Sequence, residues 1–92
     1  MITAIVLVHT AADRIPETAQ AIAELDGVTE VYSCAGDVDL IAVVKVTEHD
    51  QLADVIAGRL SRVAGVQRTD THIAFRSYSR ADTEGAFSLG LD

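Results

Sequence analysis

Apolar residues follow two rhythms along this chain, a two-residue alternation and a helical spacing of three to four, in the order strand, helix, strand, strand, helix, strand. Residues 2–9 are β-branched and apolar on both alternating faces (Ile2, Ala4, Ile5, Val6, Leu7, Val8), the pattern of a central strand covered on both sides. Asp13 is placed to cap a helix whose first turn admits Pro16, because the amides there have no intrahelical acceptor. Ile15, Ala19, Ile22 and Leu25 then share one face, and Gly27 closes the helix. A second strand is predicted at 28–34 and a third at 38–46, joined through Ala35, Gly36 and Asp37 as an antiparallel hairpin. Thr47 and Asp50 have capping-box spacing, with Asp in place of the usual Glu or Gln. They precede Leu52, Val55, Ile56, Leu60 and Val63 at helical spacing, up to a stop near Gly65. Residues 66–78 read as a long fourth strand.

Shifting the chain by 38 residues lays Ala4, Val6 and Val8 on Ala42, Val44 and Val46, Ile22 on Leu60, and Gly27 with Val28 on Gly65 with Val66. Two βαβ halves follow. With right-handed crossovers they interleave into an α+β, ferredoxin-like βαββαβ sandwich, a four-stranded antiparallel sheet with both helices on one face. The other sheet face is left without helices although the strands are apolar on both sides, so the sheet of a second copy is its natural cover. The chain is thus expected to be one domain, residues 1–79, and a C-terminal tail, residues 80–92. Phe87, Leu89 and Leu91 alternate in the tail in a way that fits lying across a neighbour.

Composition narrows the function classes. Among 92 residues, 49% are hydrophobic and only 4% aromatic, so the core is built from Val, Ile, Leu and Ala. A mean hydropathy of +0.25 is more than one small core hides, which adds to the expectation of a homo-oligomer. A net charge of -7, with Lys45 the only lysine, argues against direct nucleic-acid binding, which needs a basic patch. The single cysteine, Cys34, fits a reducing compartment, and the apolar start has no basic flank and is too short to cross a membrane, so a cytoplasmic location is expected.

Candidate chemistry concentrates at one place. Asp37 and Asp39 bracket a glycine turn at the rim of the predicted sheet, where turn amides can hold a carboxylate and an Asp an ammonium, a frame suited to a free α-amino acid. An ordinary turn, with the Asp side chains on local backbone amides, is the competing reading. His9, His49 and His72 share no ligand spacing, so neither metal nor other cofactor is expected, and no phosphate loop or nucleophile elbow occurs. On the fourth strand Thr69, Thr71 and Ile73 share one face, and Asp70, His72 and Arg76 the other.

Gly36, Asp37, Val38, Asp39, Leu40 and Ile41, followed after a helix by Val63, Ala64, Gly65, Val66, Gln67, Arg68, Thr69, Asp70 and Thr71, resemble the effector-binding domain of the Lrp/AsnC family. That unit is called the RAM domain, for regulation of amino-acid metabolism. The resemblance runs over about residues 2–78. It implies a ferredoxin-like domain that dimerises through its sheets and often assembles further, commonly four dimers to a ring, an octamer. Effectors in that family, typically amino acids, bind near the turn before the third strand at contacts between dimers. Carried onto this chain, that points to Gly36, Asp37, Val38 and Asp39, with Thr69 a further candidate on an adjacent strand. Full-length family regulators carry an N-terminal helix-turn-helix domain, whereas this chain begins at the first strand, so a stand-alone form is expected, without direct DNA recognition. It would sense an amino acid or co-assemble with full-length regulators of transcription. The leading expectation is a non-enzymatic effector-binding and oligomerisation module. Two alternatives stand beside it: a small dimeric α/β-barrel enzyme of monooxygenase or isomerase type, and a purely structural assembly domain.

Overall fold

β1 (Ile2–Thr10) occupies the middle of a four-stranded antiparallel sheet in a computed structural model that describes residues 1–80. The strand order is β2 (Val28–Ser33), β3 (Leu40–Val46), β1 and β4 (Val66–Ala74), which is the ferredoxin-like arrangement the repeat predicts. β1 runs against β3 with Ala4 opposite Val44, Ile5 opposite Val43 and Val8 opposite Leu40. Against β4 it places Thr3 opposite Ala74 and Val8 opposite Thr69. Ile5 and Val43 are also 38 residues apart, so the repeat's pseudo-two-fold axis passes between them.

Strand alternation sorts the side chains into two layers. Ala4, Val6, Val8, Leu40, Ala42, Val44 and Val46 point to one side and are buried with Ile22 of α1 (Ile15–Ala23), Leu52 of α2 (His49–Leu52), Val55 and Leu60. The opposite side carries Thr3, Ile5, Leu7, His9, Ile41, Val43 and Lys45 from the two central strands, with Arg68, Asp70 and His72 from β4 and Glu30 and Tyr32 from β2. No helix among the described residues covers this second side. Thr69 and Thr71 pair with Val8 and Val6 and so lie on the helix side, while Asp70 and His72 lie on the open one, as the alternation predicts.

Several boundaries differ from expectation, each for a local reason. Asp13 makes no capping bond; residues Ala12–Arg14 form a 3-10 turn and the α-helix starts at Ile15, with Pro16 in its first turn. The second capping box sits one residue later than Thr47 and Asp50. Glu48 and Gln51 form it, because the Gln51 side-chain oxygen accepts from the backbone N–H groups of both Thr47 and Glu48 at 2.9 Å. The expected continuous second helix divides into α2, a π-turn at Ala53–Ala57 and a 3-10 turn at Leu60–Arg62. Gly58 lies inside this run and its N–H donates to the Ala53 carbonyl, five residues back, so the coil widens where helix propensity is lowest. β4 stops at Ala74 instead of Tyr78: its pairing with β1 ends at Thr3 opposite Ala74, and Phe75 beyond it is 98% exposed. The tail, with Phe87, Leu89 and Leu91, lies outside the described residues apart from Arg80.

Candidate functional site

The connection between β2 and β3 is longer than a three-residue turn: it spans residues 34–39 and lies at the end of the sheet where β1 finishes. Three hydrogen bonds hold it. Cys34 N–H donates to the Asp39 carbonyl at 2.9 Å, Asp39 N–H donates to the Val8 carbonyl at 3.1 Å, and Thr10 N–H donates to Asp39 Oδ2 at 2.9 Å. Asp39 is therefore stitched to the end of β1 by both backbone and side chain, as Asp residues at strand ends often satisfy nearby amides. Asp37 differs. It is exposed, and its carboxylate makes no hydrogen bond or ion pair among the described residues.

Gly36 takes φ +139°, a left-handed backbone that favours glycine, and a Cβ built on it would meet nothing within 4 Å. Among the described residues the space over the turn is open. Val38 is half-buried beneath it, and Leu40, the first residue of β3, is fully buried. The structure thus brings Gly36, Asp37, Val38 and Asp39 together in one connection. Thr69 is at the same end of the sheet but separated from them by β1: Val8 has Leu40 on one flank and Thr69 on the other, and Thr69 is half-buried on the helix side.

Three residues at this rim are not among the site residues the sequence points to. Thr10 supplies the amide that holds Asp39, and its own hydroxyl is buried with no partner among the described residues. His9 Nε2 lies 3.0 Å from an Arg68 guanidinium nitrogen on the open face, so the rim also carries positive charge. The only sequence signal for this pair is that a His ends one strand and an Arg starts another. Elsewhere on the open face the Tyr32 hydroxyl donates to Glu30, and that bond, with the carboxylate's charge, raises the phenol above its ordinary pKa of 10.0. Among the described residues no group of three or more His, Cys, Asp or Glu could hold a metal, and no helix is long and apolar enough to cross a membrane.

Comparison with known proteins agrees with this architecture. The family model described as the Lrp/AsnC ligand binding domain matches residues 3–83. The HTH-type transcriptional regulator LrpA1 of Halobacterium salinarum is 35% identical over 72 residues, covering 78% of this chain and 49% of that protein. The crystal structure of TTHA0845 from Thermus thermophilus has a TM-score of 0.81 at 44% identity, covering 87% of this chain and 100% of that one. A more distant likeness in fold is the transcriptional regulator NMB0573 from Neisseria meningitidis, solved as a complex with L-Met, with a TM-score of 0.75 at 16% identity over 86% of this chain and 53% of that one. The chain spans about half the length of the curated relatives it matches. With the family model covering nearly all of its described fold, the chain belongs to the Lrp/AsnC family, in which it corresponds to the ligand-binding domain.

Proposed function

We propose that this domain is a non-enzymatic module that binds a small effector of the amino-acid class at the turn of Gly36, Asp37, Val38 and Asp39, with Thr69 on the flanking strand, and that assembles through its open sheet face. The observation that carries the reading is the division of labour between the two carboxylates. Asp39 is committed to the Thr10 amide, which fixes the turn, while Asp37 stands free beside a glycine with open space over it. A free carboxylate on a turn anchored at the edge of the sheet, next to unencumbered turn amides, suits the ammonium and carboxylate of an amino acid. The Neisseria regulator's complex with L-Met supports that ligand class. The enzyme alternative is weaker, since relatives such as LrpA1 are named as transcriptional regulators.

Calorimetry against the twenty amino acids tests the site. Asp37→Asn is expected to weaken binding of the effector by roughly 1.5 to 3 kcal/mol, the range for a hydrogen bond to a charged group, with the fold unchanged. Gly36→Val is expected to abolish it by straining the turn and filling the space above it. Unchanged affinity in both variants would leave the turn as plain structure. Asp39→Ala is less discriminating than the sequence alone indicates, because it also releases the Thr10 amide.

For assembly, Ile5, Leu7, Ile41 and Val43 form an apolar strip on a sheet face that no helix of the described residues covers. Stacking this face on that of a second copy buries the strip, and a stable pair of this kind covers more than roughly 1,000 Å². A ring of such dimers, and mixed assembly with full-length regulators in the cytoplasm, are extensions of the same proposal. Light scattering that gives a stable 9.8 kDa monomer at micromolar concentration refutes the assembly part.

A further inference from the structure

The sheet has a second rim, opposite the turn at Gly36, where β1 starts and β3 ends. A cleft of about 440 Å³ opens there between the α1–β2 junction (Asp26, Gly27), the end of β3 (Lys45, Val46, Thr47) and the second helical segment (Gln51, Asp54, Val55, Arg59). Its size lies within the range of small-molecule clefts. Its floor is apolar, since Val46 and Val55 are buried. Gly27 keeps that floor open: it takes φ +94°, and a Cβ on it would sit 3.1 Å from Val55 Cγ2 and 3.5 Å from Val46 Cγ1. The π-turn at Ala53–Ala57 supplies Asp54 and Val55 to the wall, and π-turns inside helices recur at functional sites.

Charges of both signs line the cleft. Lys45 and Arg59 share this cleft with Asp26 and Asp54, yet among the described residues none of the four forms an ion pair or side-chain hydrogen bond. Both signs remain available to a third party. Gln51 adds a directed donor: its side-chain oxygen accepts from Thr47 N–H at 2.9 Å, Thr47 Oγ1 at 2.8 Å and Glu48 N–H at 2.9 Å, which fixes the side chain and leaves the amide NH₂ uncommitted. A bare anion meets the repulsion of a chain with net charge -7 as well as two local carboxylates, and a bare cation meets Lys45 and Arg59. A molecule carrying both charges satisfies both pairs.

We propose that this cleft binds a small zwitterion of the free α-amino-acid type, its carboxylate on Arg59 and the Gln51 amide and its ammonium on Asp26 and Asp54. The site is separate from the turn at Gly36, lies at the other end of the sheet, and does not depend on the reading of that turn.

The test is calorimetry with each of the twenty amino acids as probe, at up to about 10 mM, on the wild-type chain and on Arg59→Ala, Asp54→Ala and Gly36→Val. Arg59 and Asp54 are exposed and away from the open sheet face, so neither change disturbs the core or the assembly surface. At least one amino acid is expected to bind the wild type, to lose about tenfold or more in affinity with Arg59→Ala and with Asp54→Ala, and to keep its affinity with Gly36→Val. Its deaminated acid and its decarboxylated amine are each expected to bind at least about tenfold more weakly than the parent. The proposal is overturned if no amino acid binds, if both cleft variants bind as the wild type does, or if the acid or the amine binds as well as the zwitterion. Binding lost only with Gly36→Val overturns the cleft and leaves the turn in place.

Discussion

On the helix side of the sheet Val6 is sealed completely, while Ile5, its neighbour on the same strand, keeps 38% of its surface exposed. The two residues have similar chemistry and nearly identical backbone environments, since β1 is paired on both edges. The difference between them lies entirely in what covers the face. α1 and the second helical segment cover Val6; the described chain has nothing to lay over Ile5, Leu7, Ile41 and Val43. Strands that are apolar on both sides therefore encode two interfaces, one completed within the chain and one that needs another surface.

The sharpest way to test this contrast is to place the same charge on each side. Val6→Asp buries an unpaired carboxylate and is expected to cost more than about 3 kcal/mol, enough to abolish the folded state, as circular dichroism would show by loss of the cooperative melt. Ile22→Ala attacks the same side from the helix. It is expected to lower stability by about 2 to 5 kcal/mol, read as a lower urea midpoint at unchanged slope. Ile5→Asp, one residue from Val6, is expected to leave the monomer fold in place and to weaken self-association by about a hundredfold or more, measured by sedimentation at stepped concentrations. A cooperative melt lost in Ile5→Asp as in Val6→Asp would erase the distinction between the faces.

The smallest effect belongs to the rim of the open face. Because the phenol of Tyr32 is raised above 10.0 by its bond to Glu30 and by that group's charge, the unfolded chain ionises at lower pH than the folded one. The stabilisation is complete below pH 10 and is lost as pH climbs through the raised value. Glu30→Gln is expected to bring the ultraviolet titration of Tyr32 down toward the ordinary value and to flatten this alkaline loss, with little change at neutral pH.

Much of this architecture is legible in the sequence, and the reason is periodicity. The alternation of Ala4, Val6 and Val8 and its echo at Ala42, Val44 and Val46 specify which face is buried, and the 38-residue repeat specifies how the strands interleave. Helix length is harder to read. Leu52, Val55 and Leu60 keep helical spacing and are buried as expected, but the coil between them changes from α to π to 3-10, because the hydrogen-bond shift that ends at Gly58 leaves the apolar pattern intact. At the candidate site the residue types are readable and their duties are not. Asp37 and Asp39 look alike in sequence; only the arrival of Thr10 from β1 commits Asp39, and that contact spans 29 positions. The charged cleft leaves no local signature, since Asp26, Lys45 and Arg59 come from three separate elements.

The first strand closes against the last: Thr10 pairs with Val66 and Thr3 with Ala74. On the ribosome, β1 therefore emerges long before its second neighbour exists. β3 can cover one of its edges while the other stays bare until residues 66–74 have been made. Through that interval the nascent chain displays an unpaired apolar edge, to which a neighbouring nascent chain can add as readily as β4 can. Completing the sheet requires closure of a contact nearly as long in sequence as the domain itself, the kind of pairing that forms slowly. The delay before β4 can close on β1 is thus expected to weigh on how much native protein is recovered, independent of how stable the finished domain is.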